Sequence, residues 1–304
     1  MRRILALLPL VCGCLVAHEE PAVRGLPRDD RTAPLSAVWV GHATVLLRIG
    51  NRTVLTDPNL AGAILVLPRE TPASLRPSEL PRIDAAVISH MHMDHFDAPT
   101  LRKLGRDTAV FFPDGGQAYA DEIVQPRKRP LKTWESVEVR GLTITAVPAR
   151  HQGGRYGIDA LWNHARAGYV IEGAGRRVYF AGDTGYDPRM FREIGARFPG
   201  IDLAFIPIAP PRAGRAKDRW GHASPEEALD IFRDVGAAAM VPIHFEAYYS
   251  RGTDHGAPRR RLLAEVARRG LSDRVFALRT GERIALGEGG PRILGEEGAT
   301  VAER

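Results

Sequence analysis

The sequence predicts an α/β fold in which layered sheets are flanked by helices. The first half of the chain contains apolar segments joined by tight-turn residues, which is typical of antiparallel hairpins. The second half alternates apolar segments with amphipathic helical ones, and this order favours sheets covered by helices. A chain of 304 residues can bury a large core in one domain or in two small ones. Because no internal repeat or low-complexity tract divides it, we expect one folded domain at residues 35–287.

The N-terminal residues predict export. Arg2 and Arg3 precede a short apolar stretch at 4–11, which is typical of a signal peptide and shorter than the roughly 20 apolar residues of a membrane span. The stretch Val11–Cys14 resembles the lipobox of bacterial lipoproteins. We expect residues 1–17 to be a signal peptide and the protein to be periplasmic or anchored to a membrane through Cys14, with ordinary cleavage and secretion as the alternative. Residues 18–34 are polar and predict a flexible linker.

The net charge and the positions of the cysteines limit which binding partners and which metal ligands the folded domain can have. The formal net charge is +6 and comes from 38 arginines against 4 lysines, a bias that GC-rich codons also produce. No basic repeat or aromatic-basic pattern accompanies it, so we expect no nucleic-acid partner, whereas weak attraction to an anionic membrane surface stays open. Both cysteines precede residue 15, which excludes thiolate ligands and disulfides from the folded domain.

Apolar periodicity and turn residues place the elements along the chain. Ser224, Pro225 and Glu227 form a capping-box pattern that indicates the start of a helix. The predicted strands are 37–49 (broken or bulged at Gly41), 53–57, 83–88, 109–112, 137–139, 142–147, 168–171, 178–181, 203–208, 239–243 and 275–278. The predicted helices are 98–104, 188–197, 225–235 and 259–269, and residues 288–304 are expected to be a flexible tail.

A histidine-rich motif follows the predicted strand 83–88. In the motif His90-Met91-His92-Met93-Asp94-His95, the first two imidazoles lie two residues apart, so in an extended segment they point the same way. A histidine-rich surface loop is the ordinary alternative for a lone pair of histidines. The full pattern directly after a buried strand indicates a metal site instead.

Three further candidate ligands also follow apolar strands: His151, Asp183 and His244. The set predicts two ions, one bound by His90, His92 and His151, the other by Asp94, His95 and His244. Asp183 would bridge them. Such ions, roughly 3.5 to 4 Å apart, can share a hydroxide and polarise an electrophile. Zn²⁺ is the expected metal, while nitrogen and oxygen ligands also admit Mn²⁺ or Fe²⁺.

These residues resemble the signature of the metallo-β-lactamase fold superfamily. The resemblance implies a single-domain αββα four-layer sandwich with a binuclear site at the sheet edge. Within the superfamily, the chain is similar to the N-acyl-phosphatidylethanolamine-hydrolysing phospholipase D family and its bacterial relatives. The similar stretches are Trp39–Thr44, Thr56–Pro58, Ile88–His90, Asp94–His95, Leu161–Trp162, Phe180–Tyr186, Ile206–Ile208 and His222–Ala228. Three features depart from that family: Gln152 follows His151, Phe245 follows His244, and the segment before the hairpins is shorter and lacks an obvious apolar lipid-entry face.

The resemblance also implies roles for supporting residues. Asp57 would orient a ligand histidine, although an Asp-Pro turn is the simple alternative. His222 would line the substrate pocket and hydrogen-bond a phosphoryl oxygen or protonate the leaving group, with a loop histidine as the alternative. We assign catalytic roles to His222 and Asp94. We expect His42 to be a packed, hydrogen-bonded histidine within a hairpin and not a ligand.

The expected function is binuclear metal-dependent hydrolysis. The resemblance implies a zinc-dependent phosphodiesterase of phospholipase D type. Such an enzyme would act on N-acyl-phosphatidylethanolamine-like phospholipids through a metal-activated hydroxide. A lactonase of sugar-phosphate type needs the same site and stays open, as does a metal-bound binding protein without catalysis. The substrate is expected to be a small molecule or a phospholipid, and the oligomeric state is left open.

Overall fold

The computed structural model describes residues 20–156, 159, 162–209, 221–248 and 254–294. The predicted signal peptide with Cys14, Leu161 of the Leu-Trp motif, and the chain from 295 onward lie outside the described residues. Within the described ranges, the helices are all too short or too polar to cross a bilayer.

Strands dominate the described chain. Those of the first half are β1 Leu35–Gly41, β2 Thr44–Ile49, β3 Arg52–Thr56, β4 Ala63–Ile64, β5 Leu67–Pro68, β6 Ala85–Val87, β7 Ala109–Pro113, β8 Lys128–Leu131 and β9 Ser136–Val139. Those of the second half are β10 Leu142–Val147, β11 Gly168–Gly173, β12 Arg176–Phe180, β13 Leu203–Pro207, β14 Ala239–Ile243, β15 Arg283–Gly287 and β16 Gly290–Leu294. The α-helices are α1 Ala98–Lys103, α2 Pro188–Arg197, α3 Pro225–Asp234 and α4 Ala257–Arg269. Short 3₁₀ helices span Pro77–Glu79 and Gly116–Glu122.

The strands form two large sheets. Sheet 1 has eight strands in the order β16-β15-β1-β2-β3-β6-β7-β8, and sheet 2 has six in the order β14-β13-β12-β11-β10-β9. The predicted hairpins β2–β3, β9–β10 and β11–β12 pair antiparallel, and so do β1 and β2. By contrast, β3, β6, β7 and β8 run parallel, as do β12, β13 and β14. Parallel neighbours end at the same edge, which brings residues that follow different strands together.

The sheets pack face to face with helices outside them. Alternate side chains of β1 pack into two different hydrophobic cores. Trp39 belongs to the core between the sheets with Tyr169, whereas Val38 belongs to the core on the outer face with Leu101 of α1. This division follows from the two-residue period of a strand, and it explains why every residue of β1 is buried. Helices α2, α3 and α4 cover sheet 2 on its other side. The predicted α/β architecture of four layers is confirmed.

The predicted caps and most element boundaries are also confirmed. The Ser224 hydroxyl accepts a hydrogen bond from the Glu227 amide, and the Glu227 carboxylate accepts one from the Ser224 amide, so α3 begins with the predicted capping box. Helix α2 and strand β14 have the predicted bounds.

Several predicted boundaries differ from the structure. The predicted strand 37–49 is two strands joined by a turn at His42–Ala43. The predicted final strand 275–278 is wrong, since Val275 makes only an isolated bridge to Met240, and the closing strands are β15 and β16. The folded part also extends beyond 35–287. Asp29 in the predicted linker is bound by arginines of sheet 1, and β16 lies within the predicted tail.

Candidate metal centre

The predicted ligands meet at one end of the two sheets. The motif His90–His95 leaves the end of β6, which lies between β3 and β7 in parallel pairing. Asp183 follows β12 and His244 follows β14, two strands that run parallel through β13. His151 follows β10, after Pro148 ends that strand. The shared edge that sequence reasoning inferred is therefore present.

The first cluster consists of His90, His92 and His151. Nε2 of His90 lies 2.8 Å from Nδ1 of His92, and the same Nδ1 lies 3.3 Å from Nε2 of His151. His90 and His151 are buried, and His92 is partly buried. The three nitrogens lie within 4.8 Å of one another, so one ion can contact all of them.

The second cluster consists of Asp94, His95 and His244. Nε2 of His95 lies 3.1 Å from Nε2 of His244 and 3.3 Å from Oδ2 of Asp94. Nε2 of His244 lies 3.5 Å from the same carboxylate oxygen. The two imidazoles are nearly parallel, with ring centroids 5.0 Å apart.

Asp183 lies between the clusters. Its Oδ2 is 3.0 Å from Nε2 of His244, 3.2 Å from Nε2 of His95 and 3.8 Å from Nε2 of His151. Its Oδ1 is buried and has no hydrogen-bond partner among the described residues. A buried carboxylate oxygen without a partner is costly unless it serves a ligand, and imidazole with carboxylate is a donor set that suits Zn²⁺ and its neighbours. The residues therefore fit two metal ions that share Asp183.

Hydrogen bonds at the far nitrogens orient the imidazoles. Nδ1 of His95 lies 2.6 Å from Oδ2 of Asp57, and Nδ1 of His244 lies 2.8 Å from the carbonyl of Ala209. Nδ1 of His90 lies 3.0 Å from the Ser89 hydroxyl. Each contact leaves Nε2 facing the cluster, as partners of metal-binding histidines do. Asp57 thus occupies the position that the sequence analysis gave it.

Two glycines permit the close packing of these loops. Gly182, before Asp183, has a φ of +58°, and a Cβ there would lie 2.3 Å from Cβ of Ser89. Gly221, before His222, has a φ of +73°, and a Cβ there would lie 2.3 Å from the Arg150 carbonyl oxygen. At both positions the backbone is left-handed and a Cβ would collide with a neighbouring atom, so the position requires glycine.

Burial and nearby charges shift the pKa values of the histidines in opposite directions in the two clusters. Burial lowers the pKa of His90 well below its ordinary value and the pKa of His151 to about 3, so these imidazoles are neutral and can accept a metal. Burial also opposes charge on His244, but the Asp183 carboxylate outweighs it and raises the pKa of His244 to about 9. Although burial raises the pKa of Asp183, the His244 and His95 imidazoles hold it well below its usual range.

Two histidines that were not predicted to be metal ligands contact the carboxylates of the site: His222, predicted to line the substrate pocket, and His42. Nε2 of His222 lies 3.2 Å from Oδ2 of Asp183, which brings it beside the first cluster. Nε2 of His42 lies 3.0 Å from Oδ2 of Asp94, within the second cluster. Sequence reasoning expected His42 to lie in a hairpin but missed its contact with the metal motif. The available signal was the stretch Trp39-Val40-Gly41-His42, which ends β1 at this same edge.

A model of the beta-lactamase superfamily domain matches residues 52–245. That range covers more than half of the chain, runs from the start of β3 to just past His244, and includes all seven predicted ligands. The chain therefore belongs to the metallo-β-lactamase fold superfamily.

Similar proteins come from distant organisms. An uncharacterized protein of Mycobacterium tuberculosis is 36% identical over 246 residues, a match that covers 76% of this chain and 63% of that protein. The chain thus spans less than two thirds of that relative. N-acyl-phosphatidylethanolamine-hydrolyzing phospholipase D 1 of Caenorhabditis elegans is 32% identical over 284 residues, covering 84% of this chain and 77% of that protein. Among solved structures, the isothiocyanate hydrolase from Delia radicum gut bacteria superposes with a TM-score of 0.65 at 21% identity, covering 83% and 99% of the two chains, and supports the fold.

Proposed function

We propose that this protein is a phosphodiesterase of phospholipase D type that hydrolyses N-acyl-phosphatidylethanolamine-like phospholipids. The observation that carries the proposal is the pair of clusters joined by Asp183, with His222 beside the shared carboxylate. The similarity to the Caenorhabditis elegans phospholipase supplies the substrate class.

The residues divide the work between binding and proton transfer. His90, His92 and His151 would hold one ion, Asp94, His95 and His244 the other, and Asp183 both. Two such ions, of zinc as the first choice or of manganese or iron, activate water near neutral pH and polarise a phosphoryl group. Asp57 keeps the His95 imidazole in the tautomer whose Nε2 faces the site. His222 is placed to hydrogen-bond a phosphoryl oxygen or to protonate the departing alkoxide.

An apolar hairpin beside the site supports a lipid substrate. The turn between β4 and β5 exposes 79% of Leu65 and 90% of Val66, and Leu67 is half exposed. The hairpin base is fixed to the loop after His244, since the Glu70 amide donates to the Ala247 carbonyl at 2.8 Å. Exposed apolar residues at a turn suit contact with a bilayer.

We also propose that the protein is exported and is either periplasmic or held at a membrane through Cys14, with secretion as the alternative. Its support is the sequence of residues 1–17 together with a phospholipid substrate that resides in a bilayer. The net charge of +6 favours contact with anionic lipid headgroups.

The test measures metal content and turnover on one sample. Elemental analysis should find two equivalents of metal, and the protein should hydrolyse N-acyl-phosphatidylethanolamine in a chelator-sensitive manner. The same sample is assayed on a panel of sugar-phosphate lactones. Turnover of lactones alone would replace the proposal by a lactonase, and bound metal without turnover of either panel would indicate a binding protein. The variant His92→Ala should lose both metal and activity, and retention of both would contradict the ligand assignment.

A further inference from the structure

The turn between β1 and β2 places a histidine in an unusual backbone conformation. Gly41 pairs with Thr44, so His42 and Ala43 form a two-residue loop. His42 has a φ of +57°, in the left-handed region that glycine and asparagine adopt more readily. A costly conformation at a loop beside a functional site indicates that the side chain there has a role.

The backbone of His42 is fixed to the metal loop. Its carbonyl accepts hydrogen bonds from the Trp39 indole at 2.9 Å and from the His244 amide at 3.0 Å. The Trp39 ring stacks on Phe245, the residue after His244, with centroids 4.6 Å apart. The turn and the last ligand therefore keep a constant relative position.

The His42 side chain points into the second cluster. It is 5% exposed, and Nε2 lies 3.0 Å from Oδ2 of Asp94. Its ring centroid lies 4.0 Å from that of His244 and 5.2 Å from that of His95. One donor atom from each of these four residues lies within 4.8 Å of the other three, close to the roughly 4.4 Å that two opposite bonds of about 2.2 Å to one ion can span.

We propose that His42 is a further ligand of the ion bound by Asp94, His95 and His244. The proposal rests on the metal centre of the proposed function. With His42, the second position has four side-chain donors of its own besides the shared Asp183, whereas the first has three. The two positions therefore differ in coordination number, and the second binds its ion through the turn of β1 as well as through the metal motif.

The chain offers variants that remove the imidazole and keep the turn. His42→Gly and His42→Asn both suit a positive φ, so the hairpin can form in each. His164→Ala is the matched control, because it removes an exposed histidine outside the clusters. Thermal unfolding of the three proteins checks that they fold.

The experiment titrates the metal-free full chain with Co²⁺ and records both affinity, by chelator competition, and the visible spectrum of each equivalent. In His42→Gly and His42→Asn, the second position should bind Co²⁺ at least about tenfold more weakly, and its absorption should shift and intensify as the coordination number falls. The first position and the His164→Ala protein should match the wild type. A wild-type spectrum at the second position in both His42 variants would overturn the proposal, even if affinity fell, because His42 would then only position Asp94. Failure of the wild type to bind two equivalents would instead overturn the metal centre itself.

Discussion

Asp57 and His95 form a fully buried carboxylate-imidazole pair, with Oδ2 2.6 Å from Nδ1 and neither side chain exposed. The same carboxylate accepts hydrogen bonds from the amide and the hydroxyl of Ser89, both at 2.6 Å. Because both Ser89 groups donate to it, the carboxylate is the acceptor towards His95 as well. Asp57 therefore connects the end of β3 to Ser89, which directly precedes the metal motif, and to His95 within it, and it sets the direction of His95 Nε2.

Asp57→Asn should weaken metal binding about 10- to 100-fold, because the amide no longer fixes the His95 tautomer. Asparagine tolerates the φ of +34° at this position. Chelator competition measures the affinity. Asp202→Asn is the control, since Asp202 accepts from Arg176 and Arg177 before β13, at the opposite end of sheet 2. Equal affinity in the two variants would show that Asp57 is an ordinary turn residue.

His222→Ala should lower turnover of the phosphodiester about 10²- to 10⁴-fold and leave both metal equivalents bound, because general acid catalysis is lost while every assigned ligand stays. Steady-state kinetics and elemental analysis of the same preparation measure the two effects. His164→Ala provides a histidine deletion outside the site. Loss of metal in His222→Ala would make His222 a ligand of the first position.

The double variant Leu65→Ser/Val66→Ser should bind vesicles roughly tenfold more weakly, since both side chains lose the apolar surface that would enter the bilayer. Hydrolysis of vesicle substrate should fall with it, whereas hydrolysis of a dispersed short-chain phosphodiester should not change. Leu263→Ser on α4, where the side chain is 39% exposed, controls for general loss of surface hydrophobicity. A parallel fall on both substrates would place the defect in the site and not in membrane contact.

Asp29→Asn should destabilise the fold by about 1 kcal/mol near neutral pH, since Asp29 accepts from Arg48 Nε at 2.6 Å and pairs with Arg283 at 2.8 Å. Burial raises the pKa of Asp29, but the hydrogen bond from Arg48 and the Arg283 charge outweigh it, so the folded pKa is lowered. The stabilisation is thus full above the unfolded pKa of about 3.9 and is lost as pH falls through the lowered folded pKa.

Denaturant unfolding of wild type and Asp29→Asn should therefore differ by a constant amount between about pH 5 and pH 7 and converge in strong acid. Asp273→Asn changes an exposed carboxylate and should track the wild type throughout. A difference that persists unchanged in strong acid would contradict the ion-pair explanation.

Cys14→Ser should move the protein from the membrane fraction to the soluble fraction of its host, because the proposed lipid attachment needs the Cys14 thiol. Fractionation followed by immunodetection measures this. Cys12→Ser removes the neighbouring thiol and should stay with the membrane. Retention of Cys14→Ser on the membrane would argue against the lipoprotein assignment.

The ligand positions were predictable from sequence because each follows an apolar strand directly. His90 and His92 come two residues apart after β6, and Asp183 and His244 follow β12 and β14. Since parallel strands share an edge, local patterns were enough to gather these side chains at one place.

Other features depend on pairings that local patterns do not contain. His42 approaches Asp94 only because β1 and β2 turn at His42–Ala43, whereas the apolar run across 37–49 predicts one strand that is broken or bulged at Gly41. The segment 275–278 has a strand-like composition, yet Val275 makes only one isolated bridge. The strand that pairs with β1 is instead Arg283–Gly287. The exposure of the apolar side chain of Leu65 at the tip of its hairpin follows from the folded structure and could not be predicted from local sequence.

The pairing of β1 with β15 has a consequence for how the chain folds. Leu35 lies opposite Leu286, so this ladder joins two residues that lie 251 positions apart in the sequence. Contacts of such separation slow folding, and until they form, β1 presents an open edge to other chains. His42 ends that same strand, and the Trp39 amide donates to the Glu282 carbonyl at 3.1 Å. Pairing of β15 thus completes the support of the β1 turn, and a nascent chain in which β15 is still unpaired would be prone to aggregate.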